Sequence, residues 1–251
     1  MKLRIVGLAV LVLLLFGGAM LWMLPAEVAL RFHGDRIEPL RLHGVTGTVW
    51  DGRALGASVL GQPLGALRWR LQRLPALGGT LRGELALEGP TTNGSGHFSQ
   101  RGDTLTVHDA RFELPARLLQ PVLAIPALGL LGNIEVEIAH ALLRDGIPEQ
   151  LEGNALWRDA AVTGAAAAGL GDIAIDFASQ PGGVGGSVRD SGHGPLAIDG
   201  AFRIAFTGYR VEVLLRQRAD NPQLAQALQW LGERQPDGSV RFLAEGGLVA
   251  W

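Results

Sequence analysis

Between its glycines this chain writes short runs that alternate apolar and polar residues. Leu81, Leu85 and Leu87 share one parity of Thr80–Glu88, while Arg82, Glu84 and Glu88 share the other. Ile134, Val136 and Ile138 alternate with Glu135 and Glu137, and Leu105 and Val107 follow a turn at Arg101-Gly102-Asp103. Successive side chains of a strand point to opposite faces, so each run reads as a strand with one apolar and one polar side. Strands of that kind build antiparallel sheet. Glycine is 36 of 251 residues, about twice its usual share, and it shows no collagen period. The expected fold is therefore mainly β, an antiparallel sheet with tight turns and short helices.

Two segments depart from the period of two. Leu118, Pro121, Val122 and Ile125, framed by Pro115 and Pro126, make a short apolar stretch of one or two helical turns. Asn221-Pro222 opens a clearer helix, with Leu224, Leu228 and Leu231 at helical spacing, Trp230 alongside and Gly232 at its close. Gln180–Pro195, six of whose residues are glycine, reads as a flexible hairpin loop, and Gly94-Ser95-Gly96 with Thr92, Asn93 and His97 as a turn.

The chain also resembles itself. Thr48-Val49-Trp50 matches Ala155-Leu156-Trp157, and Gly78-Gly79-Thr80-Leu81-Arg82 matches Gly185-Gly186-Ser187-Val188-Arg189, both at an offset of 107. Leu64-Gly65 matches Leu170-Gly171, and Leu131-Gly132-Asn133-Ile134 matches Asp237-Gly238-Ser239-Val240, both at 106. Four matches in one order at a nearly constant offset point to two similar β-rich units, residues 43–148 and 149–251, sharing one sheet or forming two packed sheets.

Ile5 to Leu24 is 20 residues without a charge, about 30 Å of helix, the thickness of a bilayer core. Trp22 lies near its far end and Pro25 stops it. Lys2 and Arg4 would also suit a cleaved signal peptide, but the apolar run exceeds the usual h-region and Ala26 to Ala29 makes a poor cleavage site. The expected organisation is a cytoplasmic tail at 1–4, a transmembrane anchor from Ile5 to Leu24, a connector at 25–42, and then the two units. Arg31, Arg36 and Arg41 on the far side leave only a mild positive-inside preference for a cytoplasmic tail.

Residue chemistry offers no catalyst. The formal charge of -2, without a basic run, argues against a nucleic-acid surface. The absence of cysteine removes disulfides, thiol catalysis and thiolate metal sites. His33, His43, His97, His108, His140 and His193 show no zinc spacing, and His108-Asp109 would point to opposite strand faces. No serine sits in a nucleophile elbow, and the Gly-rich stretch at 180–195 lacks the lysine of a phosphate loop. Glu135 and Glu137 share a strand face of the ordinary solvated kind. Trp50, Trp69, Trp157 and Trp230 read as core residues rather than partner hot spots. The terminal Trp251 evokes an outer-membrane barrel, but 6% aromatics cannot supply its girdles. No catalytic, metal or cofactor-binding residue is assigned, and the expectation is a chain that is not an enzyme.

A short basic start and one span, followed by Gly44-x-x-Gly47-Thr48-Val49-Trp50-x-Gly52-Arg53-Ala54, resembles the N protein family of type II secretion systems, GspN. The Leu67-x-Trp69-x-Leu71 strand fits that family. So does the C-terminal series Asn221-Pro222, Ala227-Leu228, Leu231-Gly232, Asp237-Gly238, Leu243 and Gly247-Leu248. The resemblance implies a single-pass inner-membrane protein with its bulk in the periplasm. It implies an accessory, non-catalytic scaffold role in the export of folded proteins. The implied partners are the inner-membrane platform proteins and the outer-membrane secretin. The alternative is a lipid-handling protein, in which an AsmA-like curved sheet leaves an apolar groove open for acyl chains.

Overall fold

The computed structural model describes residues 24–28, 40–59, 61–120, 128–145, 147–164, 167–205, 208–229 and 232–246. The span from Ile5 lies outside them except for Leu24, as do Trp230 and Leu231. Among the described residues, no helix is long and apolar enough to cross a membrane.

The strands run in order as β1 (Leu40–Gly47), β2 (Asp51–Val59), β3 (Gln62–Gln72), β4 (Thr80–Glu88), β5 (Asn93–Arg101), β6 (Thr104–Pro115) and β7 (Leu128–Arg144). They continue as β8 (Ile147–Gly164), β9 (Ala168–Gln180), β10 (Gly183–Asp190), β11 (Leu196–Ala205), β12 (Gly208–Gln217), β13 (Glu233–Arg234) and β14 (Val240–Gly246). All of them join a single 14-stranded sheet in which each strand from β1 to β12 pairs with the next, followed by β14 and then β13. Every pairing is antiparallel. Of the two arrangements expected, the single sheet is the one formed.

Among the described residues, short helical pieces interrupt this meander or lie beside it. Helix α1 (Arg73–Leu77) joins β3 to β4, a 3-10 turn (Ala116–Leu119) follows β6, and helix α2 (Pro222–Gln229) follows β12. Asn221 caps α2, its side-chain oxygen accepting from Leu224 N at 3.1 Å, which satisfies one of the free amides of the first turn. Leu224, Ala227 and Leu228 are buried, the face that their spacing predicts.

Two glycine-rich stretches are strands rather than loops. Gly183–Asp190 of the expected loop pairs over its length with β9 on one side and β11 on the other. Gly94-Ser95-Gly96 lies inside β5. In both places glycine makes room for an aromatic ring on the next strand. A Cβ at Gly186 would sit 2.5 Å from the Phe202 ring, and one at Gly94 would collide with Phe112. Gly52 faces Trp69 and Gly83 faces Phe98 in the same manner. Glycine in these strands is the floor under a ring, a close approach that only a missing side chain permits.

Bulges keep the apolar face continuous along the longest strands. In β8 the pairing slips between Trp157 and Ala160, with Asp159 at φ 50 and its N–H donating to Asp172 Oδ1 at 2.9 Å. One extra residue flips every side chain beyond it, and so Ala160 and Val162 turn into the core. Gly171, at φ 87, lets β9 do the same between the buried Ile173 and Leu170.

Candidate interaction surface

Cross-strand register carries each strand's alternation across the whole sheet. On one face, Trp69 pairs with Leu85, Phe112 with Val136, and Ile134 with Trp157, which in turn pairs with Ile173. Farther on, Phe202 pairs with Val211, and Val213 with Phe242. The result is a continuous apolar face, the expected outcome of strands written with one apolar side.

The opposite face is laced with cross-strand ion pairs. Arg70 Nη1 meets Glu84 Oε1, Arg111 meets Glu137 at 3.2 Å, Arg189 meets Asp176 at 2.9 Å, and Arg241 meets Glu212 at 2.6 Å. Arg158 grips Glu135 through Nε and Nη2, and this hydrogen-bonded guanidinium holds the Glu135 carboxyl below its ordinary range. Glu135 and Glu137 thus share a strand face, each spoken for by an arginine.

Cross-strand pairing also assembles a row that no sequence spacing reveals. His97 of β5 lies opposite His108 of β6, which lies opposite His140 of β7. The His108 and His140 rings are 5.0 Å apart and tilted by 49°, and Glu84 reaches His97 Nε2 at 4.0 Å. The residues come from three different strands, so only knowledge of the register could have grouped them. Asp109, next to His108, occupies a positive-φ position (φ 48) rather than completing a base and orienter. Among the described residues, no group of three or more His, Asp or Glu side chains could hold a metal ion.

The apolar face is covered unevenly. At the end of β7–β12 where α2 packs, Leu130, Ile134, Val162, Leu170, Leu196 and Ile198 are buried together with Leu224 and Leu228. Ala116 of the 3-10 turn joins the same cluster. Over β4, by contrast, Leu81 and Leu85 are each 40% exposed, and the aliphatic side chains buried in β1–β6 are alanines: Ala54, Ala57 and Ala110. Trp69 and Trp157, expected in the core, are half-buried rather than enclosed: Trp69 donates from Nε1 to Val49 O at 3.0 Å and Trp157 to Leu131 O at 2.8 Å. Their indole N–H groups need a partner, and a backbone carbonyl at a strand end or bulge provides it.

On the polar side of β2–β5 lies an open trough of about 660 Å³, lined by Asp51, Arg70, Glu84, Ser95 and His97 among others. Its carboxylates face arginines, which leaves no free acid and base opposed across it. The arrangement is one of surfaces rather than of a reaction centre.

The model of the family described as type II secretion system (T2SS), protein N, matches residues 38–242, which take in β1–β13 and the start of β14. The chain belongs to the type II secretion system protein N family. A curated relative from Vibrio cholerae serotype O1, named type II secretion system protein N, is 29% identical over 229 residues. That alignment covers 87% of this chain and 88% of the relative. No solved structure matches the chain. Family membership places it among components of a protein-export machine rather than among enzymes. The resemblance carried by Gly44–Ala54 and Leu67–Leu71 falls on β1–β3, where Gly44 (φ 62) and Gly47 (φ 89) hold backbone that other residues rarely adopt.

Proposed function

We propose that the chain is a non-catalytic accessory component of a type II secretion system. It is held in the inner membrane by Ile5–Leu24 and presents its sheet in the periplasm. There it links platform proteins to periplasmic or outer-membrane parts of the machine, the secretin among them. The observation that carries this reading is the family match along 38–242, which spans almost the entire sheet. The two-faced sheet suits the role. A ladder of paired charges keeps one face soluble, while an uneven apolar face leaves area for partners.

The sheet reads as two similar units, residues 43–148 and 149–251. Support comes from the paired positive-φ glycines Gly65 and Gly171, and from the helical piece that follows β6 and again β12. In vivo cross-linking from Leu85, followed by identification of the captured chains, tests the scaffold role. Capture of platform or secretin components is expected. Their absence, with normal secretion in a deletion strain, would remove the reading.

A second reading is favoured by one observation, the exposure of Leu81 and Leu85 on the apolar face. An open apolar face of this kind suits an acyl chain as well as a protein. Native mass spectrometry of the detergent-extracted protein separates the two: bound lipid at defined stoichiometry supports lipid handling, and a bare chain argues against it.

A further inference from the structure

The most exposed large apolar side chains described are Leu74 and Leu77 of α1, at 81% and 78%. They lie at one particular end of the sheet. At that end Val49 N donates to Leu24 O at 3.0 Å, Pro25 forms a bridge with Thr48, and Leu71 N donates to Trp50 O at 2.6 Å. Leu24 is the last residue of the uncharged 20-residue run, and Leu71 stands two residues before α1. The point where the apolar run meets the sheet and the two exposed leucines are therefore neighbours, joined through 48–50 and the end of β3. Trp50, an aromatic residue of the type enriched at bilayer interfaces, lies between them.

We propose that α1 inserts Leu74 and Leu77 into the interfacial layer of the same bilayer that holds Ile5–Leu24, so that the β1–β4 end of the sheet stands on the membrane. The proposal rests on the reading of Ile5–Leu24 as a retained span. A bilayer is the occupant that fits. Two leucines on a five-residue helix are far too little for the core of a stable protein interface, which needs roughly 800 Å² per partner. A lipid interface, in contrast, demands apolar area and no shape complementarity. Gly78 and Gly79 close the turn, and Pro75 fixes its first half, so the leucines are presented on a compact knob rather than a loose loop. A membrane contact there would fix the tilt of the sheet relative to its anchor, which a single span alone leaves free.

The chain has no cysteine, so single spin labels can be placed without background. The full chain carrying Leu77→Cys is labelled and reconstituted into vesicles of phosphatidylethanolamine and phosphatidylglycerol. Accessibility to oxygen and to a water-soluble nickel chelate is then measured. Thr91→Cys, in the β4–β5 connection at the opposite end of the strands, and Ser95→Cys, on the polar face, serve as exposed references. Leu14→Cys reports the anchor separately. The Leu77 label is expected to shift toward oxygen and away from the chelate relative to Thr91 and Ser95. A Leu77 label as open to the chelate as Thr91 overturns the proposal, whatever Leu14 reads. A Leu14 label open to the chelate overturns the anchor reading instead.

Discussion

In β11, Leu196 and Ile198 share one buried cluster with Leu224 and Leu228 of α2 and are closed from water. Over β4, Leu81 and Leu85 occupy the same apolar face of the same sheet and stay 40% exposed. The strands do not differ in kind: both regions alternate, both carry ion pairs on the far side, and both lay aromatic rings over cross-strand glycines. What differs is the cover. After β12 the chain folds back as α2, whose Leu224, Ala227 and Leu228 form the second layer that a one-sided sheet needs for a core. The 3-10 turn after β6 also adds Ala116 to that cluster, whereas among the described residues of β1–β5 no apolar side chain larger than alanine is buried. Alternation decides which face is apolar. A separate element decides whether that face becomes interior or surface.

The sharpest test of this contrast is a pair of truncations. Leu224, fully buried, should lose about 2–5 kcal/mol of stability on Leu224→Ala, the range for emptied core sites. Leu85→Ala removes a side chain already in contact with water and should cost well under half as much. Urea denaturation of both variants in the same detergent measures the difference. Equal losses would mean that β4 is covered in solution, and the comparison would collapse.

Next in size is the turn between β10 and β11. Asp190 is nearly closed from water: its Oδ1 accepts from Ile198 N, and its Oδ2 from Gly192 N and from the Arg218 guanidinium. Burial pushes this carboxyl up, but the two backbone amides and Arg218 outweigh it, and its pKa lies below the ordinary value. A carboxyl depressed by folding stabilises above the unfolded range, and that contribution fades as pH falls through the folded value. Asp190→Asn should therefore cost about 1.5–3 kcal/mol at neutral pH, the range for hydrogen bonds to a charged group. The gap to the parent should shrink on acidification. Thermal unfolding from pH 7 to pH 3 would show it, and a gap that widens in acid would refute the assignment.

Thr80–Glu88, the Arg101-Gly102-Asp103 turn and the buried stripe of α2 were legible because each rests on local periodicity or turn chemistry. Gly183–Asp190 and Gly94–Gly96 misled because glycine's usual meaning is backbone freedom. Here it is space for Phe202 and Phe112, and that reason lies on another strand. The His97–His108–His140 row and the arginine–carboxylate ladder were hidden for the same cause, since register is a property of pairs. Coverage of the apolar face was equally invisible, because nothing in β4 states where α2 will lie. The apolar run ending at Leu24 was plain in the sequence, but its nearness to Leu74 and Leu77 comes only from the bond between Leu24 and Val49.

Glycine under a ring allows the two regions to be compared at matched chemistry. Gly186→Ala drives a methyl into Phe202 and into the Asp176 carbonyl, with β9 and β11 both paired against it. Overpacking of that kind costs about 1–3 kcal/mol. Gly94→Ala meets Phe112 in the more open half, where a ring has room to move, and should fall at or below the lower limit of that range.

The smallest effect belongs to the polar face. Arg111 and Glu137 bridge β6 and β7 at 3.2 Å, but both side chains are more than half exposed. Water and salt screen such a pair, and holding two long side chains together costs rotamer freedom, so exposed pairs couple by only about 0.2–1 kcal/mol. A double-mutant cycle of Arg111→Ala and Glu137→Ala should give a value in that range that shrinks further at 1 M salt, where the screening length is about 3 Å. A coupling that is large and salt-independent would mean that this face is shielded from solvent. Both faces of the sheet would then be covered by other parts of the secretion machine or by a second copy. The contrast between a closed end and an open one would then have to be redrawn for the assembled state.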